Sequence, residues 1–271
     1  MKTILSPYGL ALSLGLNETI ELAKEFGYSS IMYASEKATS MGIDLALESA
    51  QRQGVPLSIY YHLFDLSSDN DTFLLQMKKM KRNAEIAQVL FSTLFILSIS
   101  PGSNHVPYEQ NIDRHCTRIR MVADLLNEYN ICLALEFISI PGNISTIRYP
   151  FVHKLSQLLE LIHMVDRENV KVVLDTYHLF WSKEIENVHN MINTSQVAVL
   201  QVNDLPNNYA FNTPRIWPMD TGIVRSDIFV KNMRQQKYQG FIMVETCNKA
   251  LGSNSFYMAE HAMQKLNNLL G

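Results

Sequence analysis

Cysteine is scarce. Three residues in 271 (Cys116, Cys132 and Cys247) are odd in number and widely spaced, with no Cys-x-x-Cys pair and no Cys/His spacing of a zinc finger. A disulfide scaffold is excluded, and the thiols read as reduced packing residues of a cytoplasmic chain. Positive charge is no more plentiful. Twenty-three Lys and Arg stand against 26 Asp and Glu, and no basic cluster runs longer than Lys78 to Arg82. A nucleic-acid partner, whose phosphates require a basic footprint, is not expected. Long hydrophobic runs are also missing: no stretch holds eighteen apolar residues, and Met1 to Leu10 shows no apolar segment ending in a small-residue cleavage site. Neither membrane insertion nor secretion is expected. No Pro/Gly/Ser-rich linker, low-complexity tract or tandem repeat divides the sequence, which suggests one domain over residues 1–271. What is present is an apolar content of 47% against 18% charge, sufficient for a full core.

Short apolar, β-branched or aromatic runs alternate with longer stretches of helical period, the pattern of βα units around a parallel sheet. Strands are expected at Thr3 to Leu10, Ser30 to Tyr33, Leu57 to Phe64, Thr93 to Ile99, Ile131 to Phe137, Val170 to Leu174, Val197 to Val202 and Phe241 to Val244. Asn17 is positioned to cap a helix that Gly27 closes, and Asp71 to cap a long helix reaching about Phe91. Further helices are expected at 43–53, 109–129, 151–165, 183–193, 225–236 and 255–270. Eight alternations in a chain of this length fit a closed (β/α)8 TIM barrel. An open doubly wound sheet would carry a glycine-rich phosphate fingerprint after its first strand, and none is present.

Both faces of a parallel sheet are covered, so a polar residue inside a strand run needs a reason. Four runs of the second half end in one: Glu136, Asp175, Gln201 and Glu245. Carboxyl ends of barrel strands form the active-site face. Three carboxylates and an amide converging there would repel one another without a cation, and a divalent metal resolves the repulsion. A lone strand-end carboxylate would equally well accept hydrogen bonds from a loop; four in a row favour a site. His178 follows Asp175 by three residues, placed to steer a substrate oxygen, bind the metal or cap the next helix. His62, in Ile59-Tyr-Tyr-His-Leu-Phe, reads as core or pocket wall, and His105 as a solvated loop residue. Arg215 opens the tract Arg-Ile-Trp-Pro-Met-Asp-Thr-Gly222, a βα loop on the same face, where it can hold a substrate hydroxyl or carboxylate.

The segments LALEF (133–137), VVLDTYH (172–178), VLQVND (199–204), RIWPMDTG (215–222) and YQGFIMVE (238–245) resemble the xylose isomerase-like, sugar phosphate isomerase/epimerase superfamily of TIM barrels, and within it the inosose isomerases. The resemblance is concentrated in residues 131–248. It implies a metal held by Glu136, Asp175, the position of Gln201, and Glu245, with His178 and Arg215 facing substrate; His62, on the pocket wall, is expected to join them in substrate binding. It also implies a small sugar or polyol ketone as substrate, proton transfer through an enediolate by Glu136 and Glu245, and often a homodimer. Dehydration by the inosose or dehydroshikimate route is the neighbouring alternative. A barrel that has lost catalysis and only binds a sugar is another. Three departures bear on this. Gln201 stands where the family places a metal-binding histidine, which shifts preference toward Mn2+ or Mg2+ over Co2+ or Zn2+. The loop at Pro218 is longer than the family's, and Met32 replaces a frequent Glu.

Overall fold

The computed structural model spans residues 1–271. Its eight principal strands are β1 Lys2–Leu5, β2 Ser30–Ala34, β3 Ile59–Tyr61, β4 Leu94–Ile99, β5 Cys132–Phe137, β6 Val170–Asp175, β7 Val197–Val202 and β8 Phe241–Val244. All neighbours pair in parallel and β8 closes onto β1, which completes a TIM barrel. A single antiparallel pair, Gly102–Ser103 with Tyr149–Pro150, lies outside it.

Strand alternation sorts the side chains. Ile4, Met32, Ile59, Leu94, Ile96, Ala134, Val173, Val199 and Met243 fill the barrel, and the intervening residues, among them Tyr60, Phe95, Leu133, Leu174 and Leu200, join the larger core under the helices. The helix Tyr108–Asn127 shows the complementary period: Ile112, Cys116, Ile119, Val122, Ala123 and Leu126 are buried on one stripe. Gly27, at φ +72°, takes the left-handed turn that ends the first helix, as its position after Phe26 predicts.

Four helix starts differ from expectation, the helix expected at 151–165 beginning at Leu155. The first helix, Leu16–Glu25, begins behind Gly15. Asn17 sits inside it, with its side chain drawn to Glu21 and Ser49 (both 2.7 Å). Asp69, not Asp71, caps Asn70–Val89 and accepts from Thr72 N at 2.9 Å. The helix expected at 183–193 is replaced by Thr176–Trp181 and a single turn at Val188–Met191. Asp175 causes the shift: its carboxylate accepts from Tyr177 N at 2.7 Å and starts a helix directly off β6. At the N-terminus, the chain turns at Pro7 and does not extend β1 to Leu10, while β3 ends at Tyr61. No helix is long and apolar enough to cross a membrane.

Candidate active site

The barrel's inward parity continues one layer beyond its apolar filling. Two residues past Ala134, Val173, Val199 and Met243 come Glu136, Asp175, Gln201 and Glu245, so all four project to the axis at the carboxyl ends of their strands. They are buried, at 6%, 1%, 1% and 4% exposure. Ser98 stands in register with Glu136 and donates to its Oε2 at 2.8 Å. Glu136, Gln201 and Glu245 form the floor of a cavity of about 330 Å³ whose walls include Tyr8, Met32, Tyr61 and His62.

Asp175 has one oxygen fixed by the protein and one aimed inward. Oδ1 accepts from Tyr177 N and from Asn203 Nδ2 at 2.9 Å, while Oδ2 has no hydrogen bond of good direction. Gln201 gives its Nε2 to Glu245 Oε1 at 2.9 Å, which leaves its buried Oε1 without a partner. His178 reaches the same centre from the first turn of its helix, with Nε2 3.6 Å from Glu136 Oε1. Ligand atoms of Glu136, Asp175 and His178 all lie within 4.8 Å of one another, close enough to hold a metal ion. An anion-rich donor set with two unsatisfied oxygens fits such an ion.

Arg215 is not on the substrate side alone, as a loop residue would be. Its backbone is pinned beside β7: Asp204 and Ile216 exchange two main-chain hydrogen bonds, and Asn248 Nδ2 donates to Arg215 O at 2.9 Å. From there the guanidinium enters the acid cluster. Nη1 lies 3.0 Å from Asp175 Oδ2 and 2.5 Å from Glu245 Oε2, and Nη2 lies 3.2 Å from His178 Nε2. Tyr177 packs beneath it at 4.7 Å. Arg215 can only donate, so its contact makes His178 Nε2 an acceptor with the ring proton on Nδ1 facing Ser139 O at 3.3 Å, whereas Ser139 N, 3.1 Å from Nδ1, donates to that nitrogen in the other tautomer.

The three carboxyls are unlike. Burial pushes Glu136 up to about 7, with the charge of Asp175 adding to the rise. Burial also raises Glu245 well above the carboxylate range, against the pull of Arg215. Burial opposes ionisation of Asp175 too, yet Arg215, His178 and hydrogen bonds from Glu245 and Asn203 overcome it and hold Asp175 below its ordinary value. Burial lowers His178 to about 4, so the ring is neutral.

His62 is buried, stacks against Phe95 with ring centroids 4.8 Å apart, and leaves both ring nitrogens unpaired in the cavity wall. His105 is exposed in its loop. Sequence reading missed Asn203 and Asp204. Asn203 Nδ2 also reaches Glu245 O at 3.2 Å, and Asp204 gathers the N–H groups of Leu205, Thr221, Gly222 and Val224. The signal was available: two adjacent polar residues directly after a buried strand, which only a loop-organising or site role explains.

A closed parallel barrel with a buried carboxylate cluster at its carboxyl face belongs to the broad class of (β/α)8 enzyme-type scaffolds. More narrowly, the chain belongs to the xylose isomerase-like TIM barrel family, whose sequence model matches residues 20–269. Among curated proteins it is 21% identical over 194 residues to an inosose isomerase of Halalkalibacterium halodurans, an alignment covering 70% of this chain and 66% of that protein. A xylose isomerase domain protein from Alicyclobacillus acidocaldarius superposes with a TM-score of 0.87 at 22% identity, over 100% of this chain and 98% of the other. The IolI protein with a bound zinc atom superposes at 0.79 with 17% identity, over 100% and 96%.

Proposed function

We propose that the protein is a metal-dependent isomerase or epimerase of small sugars or polyol ketones. The observation that carries this reading is the pair of buried acids, Glu136 and Glu245, that line one cavity at the carboxyl ends of their strands, both raised above the carboxylate range by burial. Two such carboxyls, one taking a proton and the other giving one, suit exchange at a carbon next to a carbonyl. The inosose isomerase relative and the zinc-bound neighbour support the substrate class and the metal.

Glu136, Asp175 and His178 would hold the ion, with Gln201 Oε1 and Glu245 at its edge. The oxygen-rich set favours Mn2+ or Mg2+, and His178 admits Co2+ or Zn2+. When bound, the metal supplies Lewis-acid polarisation of a carbonyl oxygen. Glu136 takes the α-proton, oriented by Ser98. Glu245 returns a proton from the end of β8, three strands round the barrel, held in place by Gln201 Nε2. Tyr8, Met32 and Tyr61 line the cavity beside the acids, and His62 offers an unpaired nitrogen to a substrate hydroxyl.

Solvent exchange tests this. Inososes and ketoses incubated in D2O with Mn2+ should incorporate deuterium beside the carbonyl, and Glu136→Gln should stop it with the fold intact. Full exchange in Glu136→Gln would defeat the acid–base assignment; product lighter by one water would indicate the dehydratase. A second reading, a barrel that binds a sugar without turning it over, is favoured by the grip of Arg215 on Asp175 and Glu245. Saturable sugar binding without any exchange would establish it.

A further inference from the structure

Three of the atoms that would hold a metal already face a cation of the protein's own. Arg215 Nη1 faces Asp175 Oδ2 and Glu245 Oε2, and Arg215 Nη2 faces His178 Nε2. Asp175 turns only Oδ2 inward and His178 only Nε2, since Asp175 Oδ1 is taken by Tyr177 and Asn203 and His178 Nδ1 lies against the backbone N and O of Ser139. A nitrogen lone pair that accepts an N–H cannot at the same time bind a cation. A guanidinium in contact with those ligands would also repel a divalent ion held by them.

We propose that Arg215 is a built-in competitor for the metal, which binds only by turning the guanidinium out of the acid cluster. The protein then has two cation states: arginine seated on Asp175, Glu245 and His178, or metal seated there and arginine withdrawn. Space for the withdrawn side chain exists, because Arg215 also borders a cavity of about 420 Å³ with polar walls that include Asn143, Asn212 and Thr246. The backbone clamp through Asp204, Ile216 and Asn248 keeps the main chain of Arg215 in place during the exchange, so the movement belongs to the side chain. A withdrawn guanidinium is free to take a substrate oxygen, which makes metal and substrate binding mutually supportive. The inference rests on the metal-binding part of the proposed function and not on any turnover.

The test is therefore binding of Mn2+ without substrate, measured by titration calorimetry on the wild type, Arg215→Met and Arg215→Lys. Removing the competitor should tighten Mn2+ binding roughly tenfold or more, within the usual range for coupled sites. Arg215→Lys, which keeps the charge but loses the second arm to His178, should fall between. Equal or weaker binding in Arg215→Met, or no binding in either protein, would overturn the proposal. Should Arg215→Met fold poorly, crystals of the wild type with Zn2+ decide. Arg215 out of hydrogen-bond reach of Asp175 in the zinc form supports it; zinc on Glu136, Asp175 and His178 with the Arg215–Asp175 pair intact refutes it. Absence of α-proton exchange in the wild type alongside tighter Mn2+ binding by Arg215→Met would leave this inference standing while the isomerase reading fell.

Discussion

Glu136→Gln should make the metal-free protein more stable at alkaline pH, although it removes a group central to the proposed chemistry. Burial and the negative charge of Asp175 raise Glu136 from 4.5 to about 7. The folded state thus holds this proton more tightly than the unfolded chain does. Its destabilising effect is absent below about pH 4.5, grows as pH rises, and is complete above about 7. At about 1.4 kcal/mol per unit, the full penalty is about 3 kcal/mol at pH 8 and below about 1 kcal/mol at pH 5. Gln avoids it, because the amide is neutral at both. Its carbonyl can still accept from Ser98 Oγ, and its NH2 faces the acceptors Asp175 and His178. With an unfolding entropy of about 2.1 cal/mol/K per residue, 3 kcal/mol corresponds to roughly 5 °C in Tm for a chain of this length. Thermal melts of both proteins in EDTA at pH 5, 6, 7 and 8 should show a gap that opens with pH. Saturating Mn2+ should close it at pH 8 by stabilising the ionised wild type. A variant no more stable than wild type at pH 8, or a gap independent of pH, would refute the assignment of a strained buried carboxyl.

Two other outcomes are expected. Asp204→Ala removes a buried carboxylate that organises four N–H groups of the loops around Thr221, and should cost about 3 kcal/mol in urea unfolding, with Asp204→Asn losing part of that because one acceptor oxygen remains. Metal uptake at pH 6 should release between one and two protons from Glu136 and Glu245, read by calorimetry in buffers of different ionisation enthalpy; no release would mean that both carboxyls are already ionised.

The barrel was legible because its two periodicities are clean. Strands β7 and β8 end where the apolar runs end, and Ser255–Leu270 follows its period to the residue. The positions of Glu136, Asp175, Gln201 and Glu245 were legible for the same reason: a charge at a fixed offset from buried inward residues must reach the axis. Helix starts were less so, because several side chains compete for each cap. Asp69 and Asp71 are chemically equivalent, and only the turn preceding Asn70 selects between them. The role of Asp175 as a cap was hidden, since a strand-end carboxylate and a helix N-cap are the same residue here. Arg215 was read as a substrate contact, and no local pattern could show that its guanidinium crosses to Asp175, forty residues earlier. That contact arises from barrel closure, which brings β6, β7 and β8 side by side.

Gln201 and Arg215 gain their meaning from the charge balance of the closed site. Three carboxylates face one guanidinium, so full ionisation would leave two uncompensated negative charges in a buried place, which the protein does not sustain. Two raised carboxyls remove that excess by holding protons; a divalent ion removes the same excess by its own charge. An imidazole at position 201 would offer one lone pair and one N–H, whereas the Gln201 amide donates to Glu245 Oε1 and still leaves a carbonyl oxygen free. The substitution therefore supports the proton-loaded state without abolishing the metal-loaded one. Arg215 acts in the same direction, since it stabilises the ionised Asp175 on which either state is built. A site arranged in this way has its geometry set by the protein's own groups, and under the proposed function an ion would enter by exchange with protons and an arginine already in place.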